Sequence, residues 1–226
     1  MLAEVELIPL PRLGLAFLPL AVFVAVLWRW SLGPGAALYA VARMVVQLAL
    51  LGYVLAVLFQ TQQPAWVLLV VVGVVLVAGA IALRTSRDRS AVQYARVVGA
   101  MLALITQGVL TPQPWFEPRL VVPLGGMIFA NAMNALGVAI ERFEAERDRD
   151  AAFVDARGRA MTAALIPTTN SLLAVGLVAI PGMMTGQVLA GEDPLIAARY
   201  QVMVMAMIYG SAGLALAVYF MFRKSD

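Results

Sequence analysis

The sequence contains no cysteine and no histidine among its 226 residues. These absences exclude disulfides, thiol nucleophiles, Ser-His and Cys-His catalysis, and the usual zinc, copper and haem ligands. Charged residues are also scarce, at 13% against roughly 25% in an ordinary soluble domain. This composition argues against a soluble enzyme and a disordered chain, and we expect no nucleic-acid partner.

Hydrophobic residues, by contrast, make up 62% of the chain, and the mean hydropathy is +0.89. No single globular core of this size could bury so much apolar surface. The net charge of +3 is typical of a membrane protein whose arginines set its orientation. The composition therefore predicts an all-α, polytopic integral membrane protein, with residues 1–226 forming one transmembrane domain in the lipid bilayer.

Windows without charged residues predict about seven transmembrane helices, because each span needs roughly 20 mainly apolar residues. The first segment has Glu4 and Glu6 where a secretory signal would be basic, so it is interpreted as a retained span. A polar turn at residues 60–64 divides the longest window into two. The predicted spans are residues 13–28, two within 44–83, 97–116, 120–140, one within 160–191 that stops near Pro181, and 200–222.

The distribution of basic residues predicts an external N-terminus and a cytoplasmic C-terminus. With that orientation 13 basic residues lie on the cytoplasmic side, and only Arg12, Arg119 and Arg199 lie outside. This bias follows the positive-inside rule, and it agrees with an odd number of spans. The cytoplasmic set is Arg29, Arg43, Arg84, Arg87, Arg89, Arg96, Arg142, Arg147, Arg149, Arg157, Arg159, Arg223 and Lys224.

The longest hydrophilic stretch, residues 141–159, carries six acids and five arginines and no proline. We expect it to continue the fifth span as a helix and to turn near Gly158. One interpretation is a solvated helix with salt bridges between neighbouring turns. The other is a docking element for a soluble partner, since no other cytoplasmic segment is large enough.

Neutral polar residues cluster inside the apolar spans, which contain no Asp, Glu or Lys in their cores. This pattern argues against a proton-coupled carrier. In the fifth span Asn131 and Asn134 are three residues apart and share a helix face. In the sixth span Pro167 is followed by hydrogen-bonding side chains and is expected to kink or open the helix. Those side chains are Thr168, Thr169, Asn170 and Ser171.

A third cluster follows Pro181 and contains Met183, Met184 and Gln187. The thioethers are possible soft ligands, although methionines more often serve as packing. In the second span Arg43 and Gln47 lie one turn apart, and Arg43 is expected to reach the interface. Helix-helix hydrogen bonding and the lining of a transport pathway both remain open for these polar residues. No phosphate-binding Gly-x-x-x-x-Gly-Lys-Ser/Thr loop occurs in the chain.

Three segments together resemble one known family. They are Arg43-Met-Val-Val-Gln47-Leu with Leu51-Gly-Tyr-Val-Leu55, then Gly126-Met-Ile-Phe-Ala-Asn131-Ala-Met133, and then Ala164-Leu-Ile-Pro167-Thr168 through Pro181-Gly-Met-Met-Thr-Gly186 to Tyr200-Gln201. The pattern is similar to the FetB-type permeases, the membrane subunits of an ABC transporter assigned to iron export, with plant relatives linked to aluminium tolerance. The similarity covers most of the chain from the second span onward.

The resemblance implies a multi-pass protein of the cell inner membrane that exports iron or another metal and is not itself an enzyme. It implies a FetA-type ATPase as a separate chain that uses the ATP, in a complex of two permeases and two ATPases. No cofactor is expected on this chain, and its metal ligands stay unknown. The stretch at about 141–160 would couple to the ATPase. Its coupling residues would be Glu144, Arg147, Arg149, Asp155 and Arg157.

The pathway expected from the polar residues lies between the fifth and sixth helices and their mates in a dimer. Relative to the family, the chain is shorter just after Arg159, where family members carry a Leu-Gly-Ala turn.

Two alternative functions stay open, an ABC permease for an organic or sugar-nucleotide solute and a membrane assembly protein that transports nothing. The expected pathway residues are Gln47, Asn131, Asn134, Thr168, Thr169, Asn170, Met183, Met184 and Gln187.

Overall fold

The computed structural model describes residues 9–58 and 118–223, together with positions 63, 65–67, 69–70, 72–73 and 76–77 between them. The chain divides into two compact units, residues 1–61 and 62–226. In the described residues all regular elements are helices, apart from one isolated β-bridge between Val175 and Ala179. The prediction of an all-α protein is therefore confirmed for the described part of the chain.

The first unit contains three helices, α1 (Leu10–Leu15), α2 (Leu18–Arg29) and α3 (Gly35–Leu58). Ser31 and Gly33 adopt positive φ angles of 57° and 65° in the turn between α2 and α3. The helix α3 begins nine residues before the charge-free window that predicted it, so Arg43 lies within the helix. An arginine can occupy such a position because its long aliphatic stem packs on apolar surface while its guanidinium reaches polar surroundings.

The second unit contains α4 (Pro118–Arg147), α5 (Phe153–Ala174), α6 (Gly182–Leu189) and α7 (Pro194–Phe222). Helix α4 packs against both α5 and α7, and α6 packs against α7. Alanines allow the three long helices to approach closely. The buried alanines of this core are Ala132, Ala135, Ala139, Ala156, Ala160, Ala164, Ala212 and Ala215.

Aromatic side chains close one end of this bundle. The ring of Phe143 lies 5.4 Å from that of Phe153 and 5.3 Å from that of Phe220, measured between centroids. The guanidinium of Arg223 lies 5.5 Å from the centre of the Phe143 ring. These contacts join α4, α5 and the end of α7 at the end of the bundle that carries most of the charges.

Four segments in the described residues are long and apolar enough to cross a membrane. Two of them belong to the first unit and bury none of their residues in the chain, so their apolar side chains suit contact with lipid. The four segments are Pro11–Arg29, Gly35–Ala56, Val121–Arg147 and Pro194–Phe222. The predicted fourth span, 97–116, lies outside the described residues, as does most of the third.

The turn between α4 and α5 is not where the sequence predicted it. It falls at residues 148–152, and Gly158 lies inside α5. Asp150 supplies the left-handed conformation of the turn, with a φ of 59°. Aspartate tolerates this region better than most residues. The prediction of a turn near Gly158 is therefore wrong. Asp150 fills the left-handed position of the turn, for which the sequence predicted a glycine.

The sixth predicted span is interrupted before its predicted end near Pro181, and at a different residue from the predicted helix breaker Pro167. Helix α5 continues through Pro167 and ends at Ala174, and α6 begins only at Gly182. Gly176 has a φ of 82°, and the carbonyl of Ala174 accepts hydrogen bonds from three following amides. A glycine in the left-handed conformation commonly ends a helix in this way. The helix thus opens at residues 175–181 rather than at Pro167.

Candidate functional site

Two polar regions lie at opposite ends of the second unit. The first is the charged hairpin, defined as residues 141–159, in which the end of α4 returns into α5. The second is the α6–α7 pair, defined as residues 182–204, in which the short helix packs on the beginning of α7. The apolar part of α4, residues 121–140, would be about 30 Å long, which matches the hydrocarbon core of a bilayer. The charged hairpin therefore projects beyond that apolar part.

Glu146 is the centre of the charged hairpin, and only 2% of its surface is exposed. Its Oε1 lies 2.7 Å from Nη2 of Arg142, one turn earlier on α4, and its Oε2 accepts a hydrogen bond of 2.5 Å from Nη1 of Arg159 on α5. Arg149 lies farther away, at 3.9 Å from Oε1. The carboxylate therefore connects the two helices across their turn.

The electrostatic environment keeps Glu146 ionised. The hydrogen bond from Arg159 is the main cause that holds its pKa below the ordinary value of 4.5, and the positive charges of Arg142, Arg159 and Arg149 act in the same direction. Burial opposes these effects and raises the pKa, but by less. At neutral pH the hairpin therefore contains a permanent buried anion surrounded by arginines.

The predicted coupling residues lie in the charged hairpin, and of these Arg149 is the one shown near the carboxylate of Glu146. Arg147 donates a hydrogen bond of 2.9 Å to the carbonyl of Ala151, and the guanidinium of Arg157 lies 5.8 Å from the centre of the Phe153 ring. Arg149 and Asp155 are exposed, and Glu144 is half-buried. Their expected role in coupling stays a prediction.

Sequence reasoning missed Glu146 itself, together with Arg142 and Arg159. The spacing of Arg142 and Glu146, four residues apart on one helix, was a visible signal of an ion pair. Nothing in the sequence indicated that Arg159 would reach the same carboxylate, because that contact depends on the position of the turn.

The two asparagines of α4 lie toward its exposed side. Asn131 is half-buried, and its side-chain nitrogen donates a hydrogen bond of 2.8 Å to the carbonyl of Met127 on its own helix. Asn134 is exposed. The core face of α4 is instead formed by residues such as Ala132, Ala135 and Leu136. Among the described residues, neither asparagine therefore joins α4 to a neighbouring helix through a hydrogen bond of its side chain.

The polar side chains of α5 point in different directions. Thr168 is buried on the same face as Ala156, Ala160 and Ala164, whereas Asn170 is exposed and Thr169 is half-buried. Ser171 donates a hydrogen bond of 3.0 Å to the carbonyl of Pro167. Only Thr168 among these predicted pathway residues therefore faces the core of the bundle.

The inward face of α6 brings three predicted residues together. Met183, Met184 and Gln187 are half-buried, whereas Thr185 and most of the other α6 residues are exposed. Among the described residues, no atom would lie within 4 Å of a Cβ added at Gly182 or Gly186. The glycines of α6 therefore make no close approach to the described part of the chain, and its more buried face carries the methionine and glutamine side chains.

Gln201 is the residue of the α6–α7 pair that sequence reasoning did not select. It is 7% exposed and shares a face of α7 with Ala197 and Val204. Its Oε1 and the Oε1 of Gln187 are both buried, and neither has a hydrogen-bond partner among the described residues. The sequence shows a polar glutamine at the beginning of a long uncharged stretch, which is a signal of a polar site. The burial of Gln201 could not be predicted from the sequence.

The remaining predicted residue, Gln47, belongs to the first unit, where it is exposed on α3. The structure therefore brings Met183, Met184 and Gln187 together and distributes the asparagines over exposed helix faces. Among the residues that the structure describes, no group of three or more acidic side chains could hold a metal ion. A metal bound by three or more side chains in the described part would therefore need at least one neutral oxygen or sulfur ligand.

Comparison with known proteins shows which family this architecture belongs to. The model of the uncharacterised protein family UPF0014 matches residues 10–151 and 147–225. The chain belongs to the UPF0014 family. It is accordingly a multi-pass membrane protein.

Several UPF0014 relatives carry informative names. The chain is 33% identical over 204 residues to the UPF0014 membrane protein slr1647 of Synechocystis sp., covering 80% of this chain and 78% of the relative. It is 33% identical to the probable iron export permease protein FetB of Escherichia coli, covering 83% and 80%. It is 32% identical to the UPF0014 membrane protein STAR2 of rice, Oryza sativa subsp. japonica, covering 85% and 74%. No solved structure matches the chain.

The resemblance to FetB-type permeases that the sequence indicated is thereby confirmed. The UPF0014 match is divided into two stretches that meet at residues 147–151. This point coincides with the turn between α4 and α5, where Glu146 and Arg159 face each other. The family pattern is therefore interrupted at the charged hairpin, close to the place where the sequence resemblance indicated a shorter segment.

Proposed function

We propose that this UPF0014 chain is the membrane-spanning permease subunit of an ABC transporter that exports iron or another metal. The observation that carries the proposal is the 33% identity, over most of both chains, to a relative named a probable iron export permease. ATP hydrolysis is assigned to a separate ATPase subunit of the FetA type, since the chain contains no phosphate-binding loop. Two permeases and two ATPases form the proposed complex in the inner membrane.

The proposed topology has seven spans, with the N-terminus outside and the charged hairpin in the cytoplasm. The 13-to-3 distribution of basic residues supports this orientation. In the sixth span, residues 160–174 of α5 would cover about 22 Å. The exposed apolar side chains of Leu177, Val178 and Ile180 suit the remaining depth of the bilayer. Non-helical backbone at that depth is tolerated where protein or a water-filled cavity covers it.

The proposed pathway lies along the exposed sides of α4 and α5, where they meet a second permease. Asn134 and Asn170 are exposed polar amides on the parts of α4 and α5, residues 121–140 and 160–174, that contain no charged side chain. A polar side chain that faces lipid raises the free energy of the folded protein, so these amides are expected to face another protein surface or water. Asn131 and Thr169 border the same sides of their helices.

The proposed contact with the ATPase is the charged hairpin. Its exposed residues include both signs of charge, which suits a polar and specific contact with a soluble subunit. Arg149 and Asp155 are the most accessible of the predicted coupling residues and carry opposite charges. The charge reversals Arg149→Glu and Asp155→Arg are each expected to weaken recovery of the ATPase with the permease. Asp155→Arg should leave the melting temperature of the permease unchanged, whereas Arg149→Glu should also lower it, because it replaces an ion-pair partner of Glu146 by a like charge.

Reconstitution with the cognate ATPase tests the function. Proteoliposomes containing both subunits are expected to show ATP-dependent flux of Fe(II) or another divalent metal. Flux of an organic or sugar-nucleotide solute instead of metals would support that alternative substrate. Failure to recruit any ATPase, together with no ATP-dependent flux of any solute, would overturn the proposal in favour of an assembly protein.

The pathway is tested separately in the same vesicles. Asn131→Ala and Asn170→Ala are each expected to reduce flux about threefold to tenfold, the effect of losing one hydrogen bond in the rate-limiting state. Thr162→Ala is the control, because this exposed hydroxyl bonds only to the carbonyl of Gly158 on its own helix. Unchanged flux in both asparagine variants would show that the pathway lies elsewhere.

A further inference from the structure

The α6–α7 pair contains two buried amide oxygens without hydrogen-bond partners, those of Gln187 and Gln201. Buried acceptors are nearly always satisfied in folded proteins, so two of them in adjoining helices need an explanation. Each is an oxygen that can accept a hydrogen bond or coordinate a cation. What both lack is a positively charged or proton-donating group.

The two glutamines lie at the same end of the bundle. Gln187 is two residues before the end of α6, and Gln201 is seven residues into α7. Four residues, 190–193, connect the two helices. Because a helix rises about 1.5 Å per residue, Gln201 lies about 10 Å from the beginning of α7. Because α6 packs on α7, the two buried oxygens belong to helices that contact each other.

The described side chains that share a face of α6 with Gln187 are neutral and include sulfur. Met183 and Met184 share the inward face of α6 with Gln187, and all three are half-buried. Asp193 is exposed, and its carboxylate accepts hydrogen bonds from the amides of Leu195 and Ile196 as the cap of α7. Among the described residues of α6, the side chains beside Gln187 that could act as ligands are therefore the two thioethers, and Gln201 adds an amide oxygen from α7.

We propose that Gln187 and Gln201, with the thioethers of Met183 and Met184 beside them, form a weak binding subsite for a partly dehydrated, borderline divalent cation. Amide oxygens replace part of the water shell of the ion, and thioethers favour a first-row transition ion over Mg²⁺ or Ca²⁺. Because every ligand is neutral, the ion is released readily, as a conducting pathway requires. The inference rests on the proposed function for the passage of the ion, but its binding is measurable without transport.

Binding of Mn(II) to the full chain in nanodiscs of pure phosphatidylcholine, without the ATPase, tests the subsite. The electron paramagnetic resonance signal of free Mn(II) falls when the ion binds. A dissociation constant of about 10⁻⁴–10⁻³ M is expected, at the weak end of oxygen-ligand sites. Fe(II), added without oxygen, should displace Mn(II) better than Mg(II) does. No binding of Mn(II) would overturn the subsite of amide oxygens, and equal displacement by Fe(II) and Mg(II) would overturn its preference for a borderline ion.

Two substitutions of Gln201 separate a ligand from a structural residue. Gln201→Leu is expected to weaken Mn(II) binding about tenfold, and Gln201→Glu to strengthen it about tenfold because a carboxylate adds an opposite charge. A residue with only a structural role would lose stability in both variants and gain affinity in neither. Ser211→Ala is the control, since this buried hydroxyl on α7 bonds to the carbonyl of Ile208.

If the Gln201 variants do not fold, Gln187→Leu and Gln187→Glu carry the same test at a less buried position. Unchanged affinity for Mn(II) in both Gln187 variants would then overturn the subsite.

The subsite and the proposed transport function fail in different ways. Metal flux with no change in affinity in any glutamine variant overturns the subsite alone. Mn(II) binding that depends on the glutamines, without ATP-dependent metal flux, overturns the proposed function and leaves the subsite.

Discussion

Glu146 at the end of α4 accepts a hydrogen bond of 2.5 Å from Arg159 on α5, across the turn that joins the two helices. The carboxylate is almost completely buried, whereas the side chain of Arg159 is 60% exposed. The pair is thus a contact between an internal acid and a surface base. Several consequences of this arrangement can be measured.

The first prediction concerns the pair itself. Glu146→Gln is expected to lower the apparent melting temperature in detergent more than Asp155→Asn does, because only Glu146 is buried among arginines. Arg159→Met should also lower it. In the double variant the two losses should not add, since both remove the same interaction. Additive losses would show that the contact contributes nothing to stability.

The second prediction concerns acid. Because the folded-state pKa of Glu146 lies below its ordinary value of 4.5, its stabilising contribution is complete above that value. The contribution is lost as the pH falls through the lowered folded-state pKa. The difference in melting temperature between the protein and Glu146→Gln should therefore stay constant from neutral pH down to about 5 and shrink below it. A difference that grows on acidification would contradict the direction of the pKa shift.

The third prediction compares Gly176, just after the end of α5, with Gly158 inside the same helix. Gly176→Ala should destabilise the protein by about 1 kcal/mol, because a residue with a Cβ is strained at a φ of 82°. Gly158→Ala should stabilise it by about 0.5–1 kcal/mol, since this position is helical and has open space around it. Thermal unfolding of both variants in one detergent measures the contrast. Equal effects would contradict the observed end of α5 at Ala174.

The interruption at Gly176 also shows how far the sequence could predict this fold. The long apolar stretches around α2, α3, α4 and α7 are legible because apolar content over about 20 residues is a strong local signal. The end of α5 is harder to predict, since Pro167 is a visible helix breaker and Gly176 is only one of 18 glycines. The structure accommodates Pro167 inside the helix and uses Gly176 for the break.

The polar sites divide in the same way. The sequence identified Met183, Met184 and Gln187 because proline and glycine delimit them. It could not identify Gln201 or Glu146, whose importance comes from burial against another helix. Burial of this kind depends on packing between segments distant in the sequence, for which a single sequence carries no periodic signal.

The fourth prediction concerns orientation. Because the chain has no cysteine, single substitutions give a thiol without background. Glu192→Cys, in the connection before α7, should react with a membrane-impermeant maleimide in intact cells. Asp155→Cys, in the charged hairpin, should react only after the membrane is permeabilised. The mass of the modified protein measures both. The reverse pattern would invert the proposed orientation.

The length of α7 has a mechanical consequence. The helix runs without interruption from Pro194 to Phe222, so Gln201 and the contact of Arg223 with Phe143 are about 33 Å apart on one rod. A rod of this kind cannot shorten, and a tilt or a turn about its axis at one end is transmitted to the other. A displacement of α7 where it contacts Phe143 would therefore also change the position and orientation of the Gln201 side-chain amide.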